Sequence, residues 1–184
     1  HTDTPKNQTN ASGHPLDVDS RWAKIIEIGI RMMVKIINSA LLKHDTVHVI
    51  NERGNHDEQT SYMLAMAINA WYRNEPRVTV DTSSDVFHWY EFGSNFFGTH
   101  HGHLVRKAEQ LYRVMTEDKR EEFGRCKHAY FHTGHIHHHT SVDVGSMRFE
   151  SHNTIVPGDN YAHSHGYRSA RGQQAITYHK DHGE

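Results

Sequence analysis

The stretch TVHVINERGNHDEQ, Thr46 to Gln59, contains a β-branched apolar run, a short polar turn and the start of a helical pattern. The run from Thr46 to Asn51 is bounded by turn-forming residues, which predicts a short buried strand. From Glu58 to Arg73 apolar side chains recur at helical spacing, which predicts a helix. Strands that lead through polar loops into helices are typical of mixed sheets whose loops gather at one edge.

The same signals extend over the rest of the chain. A polar loop is predicted over residues 1–16, and an amphipathic helix from Trp22 to Leu42 with Asp17, Asp19 or Ser20 as N-cap. Further strands are predicted at Arg77 to Asp81, Val86 to Phe92, Asn95 to His100, Ala129 to Thr133, Ser141 to Val144, Met147 to Ser151 and Ala175 to His179. A charged helix is predicted from Leu104 to Phe123. The predicted fold class is α/β (α+β), in one domain.

The composition of the chain limits which binding partners and which cellular compartment we expect. The net charge of -2 gives no strong positive field that would attract duplex nucleic acid or an anionic membrane. The single cysteine, Cys126, cannot form an internal disulfide, and the sequence shows neither a 20-residue apolar run nor a secretory pattern. We therefore expect a cytoplasmic protein without membrane association.

Histidine is the unusual component, because its 20 residues equal the number of Lys and Arg together. Imidazole is the commonest metal ligand in proteins, so this enrichment favours a metal site. Three of the histidine-bearing segments follow predicted strands: GNHD at 54–57, HHGH at 100–103 and GHIH at 134–137. Strand ends at one edge of a sheet can bring such loops together.

In order and residue type these three loops resemble the later motifs of the calcineurin-like metallophosphoesterases, and the chain is similar to phosphoesterases of phage and bacterial origin. The resemblance covers residues 46–140 closely. It implies an αββα sandwich of mixed sheets and a pair of divalent metals that binds both sides of a phosphoryl group. Mixed nitrogen and oxygen ligands suit Mn²⁺ first, with Fe, Ni²⁺ or Zn²⁺ as alternatives.

The resemblance also implies roles for individual residues. Asn55, His101 and His135 would bind the second metal, and His137 would reach the first. His56 would donate a proton to the leaving oxygen, because the pKa of imidazole lies near neutral pH, and Asp57 would orient His56. Asp57 and Glu58 also begin the following helix, whose N–H groups attract phosphate.

Each role has an alternative. Asn55 is also suited to a left-handed turn, and His56 to a solvated loop. His103 is expected either to contact substrate or to cap the next helix, while His100 is expected to be structural and His138 and His139 exposed. An extended segment would point His135 and His137 to one side and Ile136 into the core. The loop residues Tyr167, Arg168 and Arg171 would steer phosphate or remain solvated, and Gly158-Asp159 is interpreted as a turn.

Two motifs of the family are missing from the sequence. Neither an Asp-x-His nor a Gly-Asp precedes GNHD, so the first metal has no main ligands, although His1 and Asp3 fit the end of such a loop. We therefore expect residues 1–184 to be the C-terminal portion of a single metallophosphoesterase domain that begins upstream and lacks its N-terminal strands here. The exposed sheet edge would pair with a partner segment or a second copy.

The predicted function is metal-dependent hydrolysis of a phosphoester, with severely reduced turnover in these 184 residues alone. The substrate is open between phosphodiester and phosphomonoester, and includes short or single-stranded nucleic acid, a nucleotide or a phosphoprotein. Because these two motifs are missing, a truncated or non-catalytic metal-binding scaffold is the alternative. A histidine-rich metal buffer is a third class, which predicts loose metal stoichiometry and little dependence on Asn55.

Overall fold

A computed structural model describes residues 21–158, 160–166 and 168–184 and divides the chain after Asp85 into two units. Some sequence predictions concern residues outside these ranges: the loop over 1–16, His1, Asp3, the candidate caps Asp17, Asp19 and Ser20, the turn residue Asp159, and Tyr167.

The first unit is built from two helices and a pair of parallel strands. Helix α1 spans Trp22–Leu41, strand β1 Val47–Val49, helix α2 Glu58–Trp71 and strand β2 Val78–Val80. Strand β1 pairs with β2 in parallel, so α2 forms the crossover between them. Ile37, Val49, Ile68, Tyr72 and Val78 form the buried core of this unit. The predicted helices and strands of this unit are confirmed.

The second unit contains a mixed five-stranded sheet. Its strands are β3 (His88–Phe92), β4 (Asn95–His100), β5 (His128–Thr133), β6 (Thr140–Val144) and β7 (Met147–Ser151), in the order β3-β4-β5-β7-β6. The three central strands are parallel and the two edge strands antiparallel. The predicted mixed α+β class is confirmed, whereas the facing of two sheets in a sandwich and the single domain stay predictions.

Helix α3 (Ala108–Asp118) packs on one face of this sheet. Its buried residues Leu111 and Met115 meet the strand residues Phe96 and Phe131 in a cluster where all four side chains are almost fully buried. Gly98 allows the close approach of two rings, because a Cβ there would lie 2.7 Å from Phe131 and 2.8 Å from Trp89. This face of the sheet is therefore the hydrophobic core of the second unit.

The opposite face of the sheet contacts the C-terminal segment. The ring centroid of Tyr178 lies 4.7 Å from that of Phe97 and 4.6 Å from that of Tyr130. The amide of Asn95 donates hydrogen bonds to the carbonyl oxygens of Phe92 and His179, at 2.8 and 3.0 Å. The predicted strand at Ala175 to His179 is wrong, because this backbone is held by side chains and by one isolated bridge, His179 to Gly183.

The predicted helix from Leu104 to Phe123 is divided in the structure. Helix α3 begins only at Ala108, and after Lys119 (φ -125°, ψ 45°) a separate helix α4 spans Arg120–Arg125. The change of direction lets Phe123 meet Tyr112 edge-on at 5.9 Å. A short helix α5, Asn160–Ser164, was not predicted. Among the described residues, no helix has the length and apolar character needed to cross a membrane.

Candidate metal centre

The parallel pairing of β4 and β5 brings the HHGH and GHIH loops to the same sheet edge. His100 and Thr133 are the last partners of the two strands, and the N–H of Gly134 donates to the carbonyl oxygen of His101 at 3.0 Å. The rings of His101 and His135 follow directly, with centroids 5.2 Å apart. Loops that lie 33 residues apart in sequence (100 to 133) therefore meet at adjacent strand ends.

His103 joins these two rings, and we call His101, His103 and His135 the loop cluster. The centroid of His103 lies 5.2 Å from that of His101 and 6.2 Å from that of His135. Gly102, with φ 102°, turns the chain between them in a conformation that favours glycine. Helix α3 has Lys107 at its N-cap position, so His103 does not occupy the capping position considered from the sequence.

His100 lies beneath the loop cluster and is almost fully buried. Its Nδ1 accepts the N–H of Gly102 at 2.8 Å, which fits the expected structural role. Burial, helped by the nearby His103 and His135, lowers the pKa of His100 to about 4. His100 is therefore a neutral acceptor at neutral pH and helps to fix the turn that carries the cluster.

The GHIH turn differs from the extended segment expected from the sequence. His135 has φ 67° and His137 has φ 60°, and in the described part of the chain these are the non-glycine residues with positive φ. Ile136 is 37% exposed and does not point into the core. The prediction of an extended run is wrong, because left-handed residues turn the chain sharply here. Such backbone strain is often found at functional sites.

Arg106 is a neighbour of the loop cluster that the sequence analysis missed. Its Nη2 lies 3.3 Å from Nε2 of His135, so the guanidinium donates to this ring nitrogen. Arg106 is exposed and lies between the HHGH loop and α3. No local sequence signal distinguishes it from other surface arginines. It adds a positive charge and anion-binding N–H groups to the loop cluster.

The GNHD turn belongs to the first unit and follows β1. Asp57 is the N-cap residue of α2, and Glu58 is the first helical residue, so the predicted helix start is confirmed. The Oδ1 of Asp57 accepts the N–H of Gly54 at 3.0 Å, which closes the turn around the half-buried Asn55 and His56. The roles of Asn55, His56 and Asp57 in metal binding and proton transfer stay predictions.

The other predicted site residues lie in exposed parts of the second unit. His137 is exposed on the GHIH turn, and Arg168 and Arg171 are exposed in the loop after α5. Arg168 donates from Nη1 to the carbonyl oxygen of His163 at 3.3 Å. Contact of His137 with a metal and of the two arginines with substrate stays predicted.

A second group of ligand-type side chains was missed completely. Across the described residues, His132, Glu150 and His152 are the one group of His, Cys, Asp or Glu whose ligand atoms all lie within 4.8 Å of one another. We call them the sheet-face cluster, because His132 and Glu150 are directly paired on β5 and β7. Burial lowers the pKa of His132 to about 4, helped by the neighbouring His152. Only the strand register reveals this group, so no local motif could have found it.

Comparison with known proteins gives structural neighbours only. No family model and no curated protein matches the chain. Among solved structures it is similar to Vps29 from Entamoeba histolytica complexed with zinc, with 17% identity, a TM-score of 0.36, and 68% of this chain and 64% of that chain covered. A conserved uncharacterized protein from Streptococcus pneumoniae, a predicted phosphoesterase, shows 14% identity and a TM-score of 0.28 over 62% and 75% of the two chains. The chain thus spans less than two thirds of the length of the Vps29 chain.

Proposed function

We propose that this chain is a metal-dependent phosphoester hydrolase with a dinuclear metal site. The observation that supports the proposal is the meeting of the HHGH and GHIH loops at the ends of β4 and β5, with the His101 and His135 rings 5.2 Å apart. These are the two loops whose motifs predicted metal binding. Imidazoles gathered at a sheet edge suit a divalent cation, with Mn²⁺ as the first candidate and Fe, Ni²⁺ or Zn²⁺ as alternatives.

The loop cluster would bind the second metal through His101 and His135, together with Asn55 of the GNHD turn, while His137 would bind the first. The metals would supply charge neutralisation and an activated water. Occupation of the cluster would require Nε2 of His135 to exchange its contact with Arg106 for the cation. Arg106 would then be available for a phosphate oxygen, because a guanidinium binds phosphate through paired N–H groups.

The remaining roles concern substrate and leaving group. His103, Arg168 and Arg171 would contact the phosphate, and His56 would protonate the leaving oxygen with Asp57 at the same turn. The near-neutral charge of the chain favours a small phosphodiester, a nucleotide or short single-stranded nucleic acid over a long duplex. A partner segment or second copy that completes the metal site belongs to the same proposal.

The first experiment measures hydrolysis of bis-p-nitrophenyl phosphate by the full chain with Mn²⁺ and with EDTA. We expect weak turnover that needs the metal and that His135→Gln lowers by about 100-fold or more, since a ligand is lost. The matched control His44→Gln removes an exposed histidine of the first unit and should leave the rate unchanged. Turnover that persists in EDTA or in His135→Gln would contradict the proposal.

A second experiment tests the role of His56 as a proton donor. A p-nitrophenolate leaving group needs little protonation, whereas the alkoxide of a dinucleotide needs it strongly. We expect His56→Gln to slow dinucleotide hydrolysis by roughly 10²-fold or more and bis-p-nitrophenyl phosphate hydrolysis much less. Equal losses with the two substrates would assign His56 to binding or folding.

The second candidate function is metal binding without turnover, as a scaffold. The observation that favours this candidate is that the loop cluster gathers imidazoles alone, which suit a single transition-metal ion. Elemental analysis distinguishes the two functions when it accompanies the assay. The ions of the loop cluster are those that the double variant H101Q/H135Q no longer holds. One such ion with no hydrolysis supports the scaffold, and two such ions with metal-dependent turnover support the enzyme.

A further inference from the structure

The sheet-face cluster (His132, Glu150, His152) lies on the face of the sheet away from α3. In the parallel register His132 of β5 stands opposite Glu150 of β7, and His152 follows the end of β7. The cluster shares no residue with the loop cluster. Its neighbours Phe131 and Phe149 point into the hydrophobic core on the other face, which fixes the direction of His132 and Glu150.

The three ligand atoms have the spacing of groups that share one small cation. Nδ1 of His132 lies 2.9 Å from Nε2 of His152 and 3.5 Å from Oε2 of Glu150. Ligands bound tetrahedrally at 2.0–2.1 Å from zinc are separated from each other by roughly 3.4 Å. The two distances lie on either side of this value, and all three ligand atoms lie within 4.8 Å of one another, so side-chain rotation can bring them to one ion.

Glu150 is the member of the cluster whose burial most strongly favours a bound cation. The residue is 6% exposed, and within the described part of the chain its buried Oε2 accepts no hydrogen bond. The nearest group is His132 Nδ1 at 3.5 Å, and Nε2 of the more exposed His139 lies 3.9 Å from Oε1. A buried carboxylate is unfavourable unless a charge or hydrogen-bond donors compensate it.

The outer ring nitrogens are held in the way that metal-binding histidines are usually held. Nδ1 of His152 contacts the side-chain oxygen of Gln174, and Nε2 of His132 lies 3.1 Å from the hydroxyl of Tyr178. If His152 donates its Nδ1 hydrogen to Gln174, the lone pair on Nε2 points toward the cluster. Such outer partners fix the tautomer and direction of a metal ligand.

A path to the cluster is present. His132, His152, Gln174 and Tyr178 line an open hollow of about 500 Å³. It provides room for a cation to enter and for a water to complete four-coordination.

From these observations we propose that His132, Glu150 and His152 form a mononuclear site for a divalent cation of the zinc class. Two imidazoles and one carboxylate suit Zn²⁺ and its transition-metal neighbours better than Mg²⁺ or Ca²⁺.

The proposed ion has a structural consequence. It would connect β5 to β7 directly and, through Tyr178 and Gln174, would fix the C-terminal segment on the sheet. The site is independent of the proposed hydrolase function, since none of its ligands belongs to the loop cluster. Loss of the site should therefore change stability and zinc binding without removing metal-dependent hydrolysis.

The decisive measurement is imidazole NMR on the full ¹⁵N-labelled wild-type chain, titrated with Zn²⁺ after treatment with chelator. We expect the first equivalent of zinc to shift Nδ1 of His132 and Nε2 of His152, while their other ring nitrogens keep their hydrogens. Coordination through His101 or His135 alone, or no shift at either predicted nitrogen, would overturn the site. This experiment needs no substitution, so it does not depend on the folding of a variant.

Variants then test the ligand set by competition with a chromophoric zinc chelator. We expect His152→Gln and Glu150→Gln each to lower zinc affinity at least tenfold and to remove a rise in Tm of about 5 °C seen with zinc at 100 times its Kd. His44→Gln should leave both values unchanged, and the double variant H101Q/H135Q should retain this rise. Full affinity in His152→Gln, or loss of the rise only in the double variant, would overturn the proposal. Because Glu150 is buried and its replacement could unfold the chain, the half-buried His152 provides the deciding variant.

Discussion

The loop cluster and the sheet-face cluster both depend on β5, yet they are encoded in different ways. The first gathers histidines that directly follow two parallel strands, each within a short recognisable motif. The second joins His132 on β5 to Glu150 on β7, which are 18 residues apart and meet only through strand register. A metal site can therefore be visible in a sequence or hidden in it, depending on whether loops or strand pairing place the ligands.

The backbones that carry the two clusters also differ. The loop cluster stands on Gly102 and His135, both with positive φ, whereas the described backbone at His132, Glu150 and His152 has no positive φ. Regular strands fix side-chain directions through the pleat and through the hydrogen bonds of the sheet. The sheet-face cluster is thus already arranged by the fold, while the geometry of the loop cluster depends on a strained turn.

The largest expected effect comes from removing the core side chain that supports both clusters. Phe131 is fully buried and lies between Tyr130 and His132 on β5. We expect Phe131→Ala to lower the free energy of unfolding by about 3–5 kcal/mol, because it leaves a cavity under the sheet. Chemical denaturation measures this change. The control Val142→Ala, at a half-exposed position on β6, should cost far less; comparable losses would contradict the assigned core.

Acidification should destabilise the metal-free chain through two buried histidines, one beneath the loop cluster and one in the sheet-face cluster. The pKa values of His100 and His132 are both lowered to about 4, so the unfolded state binds protons first as the pH falls below 6.5. Stability is complete above pH 6.5 and declines toward pH 4, by up to about 1.4 kcal/mol per pH unit for each histidine.

Denaturation in EDTA at several pH values measures this slope. The variant His100→Asn keeps an acceptor for the Gly102 N–H but removes one titrating group, so the slope should fall while the part due to His132 remains. A slope that does not change in His100→Asn would mean that His100 does not contribute.

The backbone difference between the clusters can be tested with paired substitutions. At His135, with φ 67°, we expect the Gly variant to be more stable than the Ala variant by about 1 kcal/mol, since left-handed backbone disfavours a Cβ. At His152 the order should reverse, because glycine there only increases the entropy of the unfolded chain. Thermal unfolding measures the four variants. If the Gly and Ala variants had the same order of stability at both positions, the backbone difference between the clusters would be contradicted.

The smallest expected effect concerns the hydroxyl of Tyr178, which lies 3.1 Å from Nε2 of His132. Tyr178→Phe keeps the ring contacts with Phe97 and Tyr130 and should cost roughly 0.5–1 kcal/mol for the lost hydrogen bond. Zinc affinity should fall as well, while manganese-dependent hydrolysis should not. A loss of hydrolysis equal to that of a loop-cluster variant would connect the two sites.

Much of the fold could be predicted because the hydrophobic pattern follows the elements closely. Strand β4 has the predicted bounds Asn95 to His100, and β7 those of Met147 to Ser151. The segment from Ala175 to His179 has the composition of a strand, but it is held by the amide of Asn95 and the ring of Phe97. Such tertiary contacts cannot be read from local composition, so this strand prediction was wrong.

The candidate sites were predictable only as far as local sequence determines them. Glycine next to histidine or asparagine marked the GNHD, HHGH and GHIH turns, and the second and third of these meet as neighbours. The φ values of His135 and His137 were not predictable, because histidine adopts positive φ only when its surroundings require it. In the sequence Glu150 is one polar residue within a predicted strand. Its position as a candidate metal ligand follows only from its pairing with His132 across β5 and β7.

Gly98 on β4 has a consequence for natural variation in this chain. A methyl group at this position would overlap the rings of both Phe131 and Trp89, which lie within 2.8 Å of the place where it would sit. Alanine can be accepted there only together with smaller side chains at both aromatic positions. In any collection of divergent homologues, these three positions should therefore change as a set, and chains that retain both rings should retain the glycine.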